Sequence, residues 1–246
     1  MAKSVAAIIC AAGPGSRFGG KRKKQFTDVS GRAVAVRSVE LFADRDEVKQ
    51  VLLGIPQEDE EIVKVKWGAK LSFFGVQLFF GGAGRFDTVG KALELVKDDI
   101  DLVAVHDACR CCATERLITN VIAKAAETGA AIPAASVTAT IKQVENDTIV
   151  RTVDRTDLFE AQTPQIFATT LLKEAYANIE NVDKAAITDD AFLVEAFGHK
   201  VAIVESDSSN IKITRKSDIA IAEAILRSRP KPKPEGPIGP YAEAQW

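Results

Sequence analysis

The sequence lacks a surplus of either charge: 32 lysines and arginines meet 34 aspartates and glutamates, interspersed along the chain, for a formal net charge of -2 at pH 7. Without a broad basic field no nucleic-acid partner is expected, and any anion site must be local. A long hydrophobic run is also missing. The apolar stretch Val5 to Cys10 is too short to cross a bilayer and is followed by glycines rather than a cleavage site, so it reads as a first strand and no membrane partner is expected. Cysteine is scarce and poorly spaced for disulfides. Cys10 stands alone, while Cys109, Cys111 and Cys112 crowd into Cys-Arg-Cys-Cys, where adjacent positions supply no long-range framework. A cytoplasmic, reducing location fits that usage best. The same crowding, with no fourth Cys or His nearby, speaks against structural zinc. Only two histidines occur, His106 after an apolar run and His199 after a glycine, and both read as structural.

What the chain does contain is an alternation. Val5 to Cys10, Val48 to Ile55, Val76 to Phe80, Leu102 to His106 and Ala130 to Ala135 read as buried strands. Between and after them, helical periodicity marks Val34 to Phe42, Asp87 to Val96, Glu115 to Glu127, Thr169 to Ile179, Asp189 to Ala196 and Ser217 to Leu226, with Thr114 and Thr188 placed as N-caps. That order predicts an α/β fold with a largely parallel sheet and helices on both faces. One segment departs from it: Thr140 to Val144, a polar turn over Glu145 to Asp147, and Thr148 to Val153 form a strand, turn and strand, read as a hairpin arm standing off the sheet at about 138–155. At 246 residues the length suits one core, placed at 1–227, and a tail at 228–246 whose first ten residues hold four of the nine prolines. That tail is either solvated or a docking peptide.

The first strand runs into Ala11-Ala12-Gly13-Pro14-Gly15-Ser16-Arg17-Phe18-Gly19-Gly20-Lys21-Arg22-Lys23-Lys24-Gln25, which joins backbone that can approach a ligand closely to a cluster of cations. That composition outlines a polyphosphate site. A dinucleotide-binding loop would need its third glycine where Phe18 stands. A phosphate loop of the nucleoside triphosphatase kind would need Ser or Thr, to hold magnesium, where Arg22 stands. A solvated surface loop is the plain alternative. The remaining reading is a nucleotidyltransferase loop in which Arg17 and Lys24 grip a triphosphate.

Further motifs follow in order: Gly81-Gly82-x-x-Arg85-x-Asp87-Thr88-Val89, His106-Asp107-Ala108-x-Arg110, Thr152-Val153-Asp154-Arg155, Gln162-Thr163-Pro164-Gln165, Thr188-Asp189-Asp190 and Asn210-Ile211-Lys212-Ile213-Thr214. With the first loop they make residues 4–226 resemble the 2-C-methyl-D-erythritol 4-phosphate cytidylyltransferases. The resemblance implies a three-layer α/β/α, Rossmann-like nucleotidyltransferase fold with a protruding hairpin arm. It also implies transfer of CMP from CTP to methylerythritol phosphate, with Mg²⁺ as cofactor. Arg17 and Lys24 then contact the triphosphate, and Lys212 bridges the phosphates of the two substrates. Ala11, Ala12, Gly13, Gly15, Gly82, Arg85 and Thr88 fall on the nucleotide side. Asp107, Arg110, Thr163, Thr188 and Asp189 match the acceptor pocket, Asp107 being alternatively a magnesium ligand. Thr140 and Arg155 lie on or beside the arm, which in the family reaches a second subunit, so a homodimer is implied; read without the family, Arg155 is a surface ion pair to Asp154 or Asp157. Three departures stand out: Lys23 where the family usually has Pro, Gly84 and Phe86 where an acidic and a polar residue are common, and Cys111 where Pro is usual. A pentitol-phosphate cytidylyltransferase shares several of these motifs, and a nucleotide-binding protein without catalysis would keep the same backbone.

Overall fold

The computed structural model describes residues 3–13, 15, 18 and 23–230. In chain order its elements are β1 (Val5–Cys10), β2 (Asp28–Val29), β3 (Arg32–Ala33), α1 (Val34–Ala43), β4 (Val48–Ile55), α2 (Glu60–Phe73), β5 (Gln77–Phe80), α3 (Arg85–Leu95) and β6 (Leu102–Asp107). There follow α4 (Glu115–Thr128), β7 (Ala130–Ser136), β8 (Ile141–Glu145), β9 (Thr148–Val153), β10 (Phe159–Ala161), β11 (Gln165–Ala168), α5 (Thr169–Ala177), α6 (Asp190–Ala196), β12 (Ala202–Ser206) and α7 (Ser217–Ser228). None of the described helices is long and apolar enough to cross a membrane.

β1 is fully buried because aliphatic side chains leave both of its faces, and it pairs in parallel with β4 on one side and β6 on the other. β5 extends the sheet beyond β4, and β12 runs parallel to β7. Between β6 and β7 the chain inserts a reversed segment: β11 is antiparallel to both, and β10 is antiparallel to β7. The sheet is therefore mostly parallel, as the alternation predicts, but these reversed strands carry too few apolar residues to announce themselves. One side is sealed by Phe42, Ile118 and Val121 over Ile9 and Leu53, the other by Val89, Leu172 and Leu193 over Ile8 and Phe167. Burying a Leu or Ile fully contributes about 1.5–3 kcal/mol each, so these two layers dominate the stability of the sheet that carries the site.

Several expected boundaries shift: α3 begins at Arg85 rather than Asp87, α5 ends at Ala177 rather than Ile179, and two further shifts have a physical cause in side-chain hydrogen bonds. Thr188 does not cap α6: Asp189 does, in an extended conformation, its Oδ1 accepting the N–H of Phe192 at 2.9 Å. A carboxylate at that point satisfies an orphan donor and faces the positive end of the helix, which a hydroxyl one residue earlier cannot do. α7 continues to Ser228, past the expected Leu226, and Arg229 folds back to donate to the carbonyls of Cys112 and Ala113. The tail beyond Pro230 lies outside the described residues. Thr114 does cap α4, accepting from Leu117 at 3.1 Å. β8 and β9 form the expected hairpin, closed by Asn146 and Asp147 with φ of 45° and 59°, the left-handed pair that a two-residue hairpin turn requires.

Candidate active site

In a parallel sheet, ligands collect where the strands end at their carboxyl sides. Here Cys10 and Asp107, the last residues of β1 and β6, are register partners, and the 81–84 turn follows β5 beside them. A cleft of about 340 Å³ opens at that edge. Ala11, Ala12, Gly13 and Gly15 line it from the first loop, Lys24 from the end of that loop, Gly82, Arg85 and Thr88 from the turn and α3, Asp107 from β6, and Lys212 from the segment after β12. The cleft thus gathers three kinds of residue the motifs singled out: small-residue backbone, cations and one carboxylate.

Local hydrogen bonds explain why each stretch holds its shape. Gln25 is buried and its amide donates to the carbonyls of Ala11 and Gly13 at 2.8 and 3.2 Å, tying the two ends of the first loop together. Thr88 accepts the Gly82 N–H at 3.1 Å and donates to the Gly84 carbonyl at 3.0 Å. A Cβ on Gly82 would lie 2.2 Å from Cβ of Asp87, so only glycine permits this turn. The backbone N–H of Ile213 donates to the Cys109 carbonyl at 2.9 Å and carries neighbouring Lys212 to the cleft. Lys23, one of the three departures, is tied outward by Glu58 at 2.6 Å and Asp59 at 2.8 Å rather than directed inward.

Charge is concentrated on Asp107. Its Oδ1 receives Arg85 Nε at 2.9 Å, its Oδ2 receives Lys212 Nζ at 2.5 Å, and its backbone N–H donates to Thr163 Oγ1 at 3.1 Å. Burial alone would push this carboxyl up; Arg85 and Lys212 together outweigh it and hold the group well below the usual carboxylate range. Arg85 also reaches Asp190, a wholly buried carboxylate, through Nη1 at 2.6 Å. Asp190 closes the Thr188-Asp189-Asp190 motif, but its sequence position shows no role for it, since an acidic residue at a helix start ordinarily reads as a cap. Cys10 and Cys109 also face the cleft, and burial pushes their thiols up to about 12 and about 11, so both are neutral at pH 7.

The residues expected on the acceptor side are more dispersed. Arg110 gives Nη1 to the Asn210 carbonyl at 2.7 Å and Nη2 to that of Ala161 at 3.3 Å. Thr163 is buried against His106 Nδ1 at 3.1 Å, and Asp189 Oδ2 accepts the Gln165 amide at 2.8 Å while its other oxygen caps α6. Thr188, Thr140 and Arg155 are exposed, the last two beside the arm, and among the described residues Arg155 forms none of the ion pairs a surface role would suggest. Arg17 lies outside the described residues. His106 packs against Phe42 with ring centroids 5.2 Å apart, and burial pushes its imidazole down to about 3. Cys109, Cys111 and Cys112 sit in an apolar cluster with Val29, Val34 and Ile213.

Comparison with known proteins gives this arrangement its context. Residues 5–228 match the family model for 2-C-methyl-D-erythritol 4-phosphate cytidylyltransferase. Enzymes of that name from Endomicrobium trichonymphae and Rhodopirellula baltica are 44% and 40% identical, over 91% and 92% of this chain and 99% and 96% of theirs. Among solved structures, 4-diphosphocytidyl-2C-methyl-D-erythritol synthase from Anaerococcus prevotii superposes with a TM-score of 0.78 at 28% identity, covering 92% of this chain and 97% of that one. The cytidylyltransferase from Thermus thermophilus does so with a TM-score of 0.74 at 31% identity, covering 92% and 100%. With sequence likeness spanning nearly the whole chain and the same fold, the chain belongs to the 2-C-methyl-D-erythritol 4-phosphate cytidylyltransferase family.

Proposed function

We infer that this protein transfers CMP from CTP to the phosphate of 2-C-methyl-D-erythritol 4-phosphate, giving 4-diphosphocytidyl-2-C-methyl-D-erythritol and pyrophosphate, a step in making isoprenoid precursors. The observation that carries the reading is the meeting of Lys24 and Lys212, from opposite ends of the domain, in one cleft with the glycine-rich backbone.

The chemistry suits these residue types. An oxygen of the acceptor phosphate attacks the α-phosphorus, a new P–O bond forms, and the bond to the β-phosphate bridging oxygen breaks with its electron pair leaving on pyrophosphate. The nucleophile is already anionic near neutral pH, so the step requires no general base, in keeping with a buried, neutral His106. Bringing two polyanions together does require positive charge, which is what fixed cations supply to a phosphoryl-transfer transition state. In this reading Lys24 and Arg17 hold the triphosphate. Lys212, held at the cleft by Asp107, lies between the two substrates' phosphates. Ala11, Ala12, Gly13, Gly15, Gly82 and Thr88 frame the base and ribose, with Arg85 at their side.

No three carboxylate, histidine or cysteine side chains are grouped to hold a metal among the described residues. Mg²⁺ nevertheless fits, because it commonly takes one carboxylate and completes its shell with substrate phosphates and water. Asp107, which lines the cleft, would be that carboxylate, sharing its charge with Arg85 and Lys212. When bound, the ion neutralises phosphate charge. The acceptor is enclosed by Asp107, Arg110, Thr163, Thr188 and Asp189, and by Thr140 and Arg155 from the arm of a second copy. Exposed Val144 and Ile149, cross-strand partners on one face of the arm, supply an apolar surface for that second copy.

A pyrophosphate-release assay with CTP, ATP, GTP and UTP against methylerythritol phosphate and ribitol 5-phosphate tests the assignment. Turnover is expected with CTP and methylerythritol phosphate. Equal or faster turnover of ribitol 5-phosphate would transfer the assignment to the pentitol-phosphate enzymes, and CTP binding without acceptor-dependent release would indicate a binding protein.

A further inference from the structure

Asp190 is fully buried although a carboxylate is costly to remove from water unless it is paired and hydrogen-bonded. Its Oδ1 accepts the Tyr176 hydroxyl at 2.7 Å and its Oδ2 accepts Arg85 Nη1 at 2.6 Å. Its backbone N–H donates to Gln165 Oε1 at 3.0 Å, which fixes the start of α6. The same guanidinium gives its Nε to Asp107, and Asp107 holds Lys212. Alternating charges therefore run from beneath α5 and α6 to the cleft: Asp190, Arg85, Asp107, Lys212. Replacing a buried ion pair by apolar residues of similar volume is often neutral or stabilising. Stability alone therefore gives little reason for the pair, whereas geometry does. Arg85 keeps 25% of its side chain open to solvent at the cleft, and with one carboxylate instead of two it could turn toward a bound polyphosphate and draw Asp107 along.

We propose that Asp190, acting through Arg85, is a positioning residue for cytidylyl transfer: it anchors the guanidinium that fixes Asp107, and Asp107 presents Lys212 at the junction of the two phosphates. The inference rests on cytidylyl transfer being the reaction of this site. It predicts damage concentrated in the transfer step, because the first loop, Lys24, Gly82 and Thr88 hold CTP in its ground state while Arg85, though beside the nucleotide, gives Nε and Nη1 to the two carboxylates.

The test compares wild type, Asp190→Asn, Arg85→Gln and the double variant Arg85→Gln/Asp190→Asn by thermal unfolding and by steady-state pyrophosphate release. Asp190→Asn keeps the side-chain shape, and its kcat is expected to fall about 10–100-fold, the scale of a misplacement near 1 Å. KM for CTP should stay within about threefold, since ground-state binding is spared. Arg85→Gln leaves buried Asp190 with no cation and Asp107 with Lys212 alone, and should melt early. The double variant removes one negative charge with the positive one, and should regain melting temperature while kcat stays low. Recovery of kcat together with melting temperature would overturn the inference by making the pair merely structural. So would a wild-type kcat in Asp190→Asn, or a rise of KM for CTP in proportion to the loss of kcat, which would make Arg85 a direct nucleotide ligand. A wild type without pyrophosphate release would remove the reaction and the inference with it; an active wild type beside an equally active Asp190→Asn removes the inference alone.

Discussion

Asp107 Oδ2 holds the ammonium of Lys212 at 2.5 Å while Oδ1 holds Arg85 at 2.9 Å, so one carboxylate separates two cations at the floor of the cleft. Removing its charge but not its shape, by Asp107→Asn, leaves Lys212 without its carboxylate and Arg85 with Asp190 alone. CTP, a polyanion, should then bind at least as tightly at low salt, while turnover falls about 10–100-fold as Lys212 loses its resting place. Isothermal titration beside the pyrophosphate assay checks both halves. Weakened CTP affinity would show that Asp107 acts on the nucleotide and not through Lys212.

The arm gives a prediction about assembly. Val144 and Ile149 face each other across β8 and β9 with 52% and 60% of their surface exposed. In the proposed homodimer, the double variant Val144→Glu/Ile149→Glu should shift the protein to a monomer in light scattering and lower acceptor turnover at least about tenfold, by withdrawing Arg155 and Thr140 from the proposed partner site. A fully active monomer would rule out sites shared between copies.

His106 gives a prediction about pH. Its folded pKa of about 3 lies below its ordinary 6.5, so the unfolded chain binds the proton more readily than the folded one. The neutral imidazole's contribution is complete above pH 6.5 and declines as pH falls from there toward about 3, by at most about 1.4 kcal/mol per pH unit. Urea unfolding between pH 7.5 and 4.5 should show a shallower acid decline in His106→Gln than in wild type. Parallel slopes would mean that His106 carries no such linkage.

What the sequence made legible follows from strong local patterns. β1 and β4 match their expected spans because continuous aliphatic runs leave little choice, and the hairpin announces itself through alternation and a polar turn. α2 escapes because only Val63 and Leu71 of its fourteen residues are buried, too few for an apolar stripe. Of the expected site residues that the structure describes, Ala11, Ala12, Gly13, Gly15 and Lys24 of the first loop, Gly82, Arg85 and Thr88 of the next turn, Asp107 and Lys212 share one cleft, since each follows a strand end or is carried there by a backbone bond. The role of Asn210 was not readable: its buried amide donates to Gln162 Oε1 and the Thr163 carbonyl, long-range bonds that no local pattern encodes. Asp190 was hidden for the same reason, its partners lying on α3 and α5.

The most direct measurement is a double-mutant cycle on kcat using Lys24→Ala, Lys212→Ala and the pair together, with CTP and methylerythritol phosphate. Cations that serve one phosphoryl junction act as a unit, so the double variant should lose far less than the product of the single losses, with a coupling of at least about 1 kcal/mol. Losses that simply multiply would place the two lysines at independent tasks and contradict a shared junction.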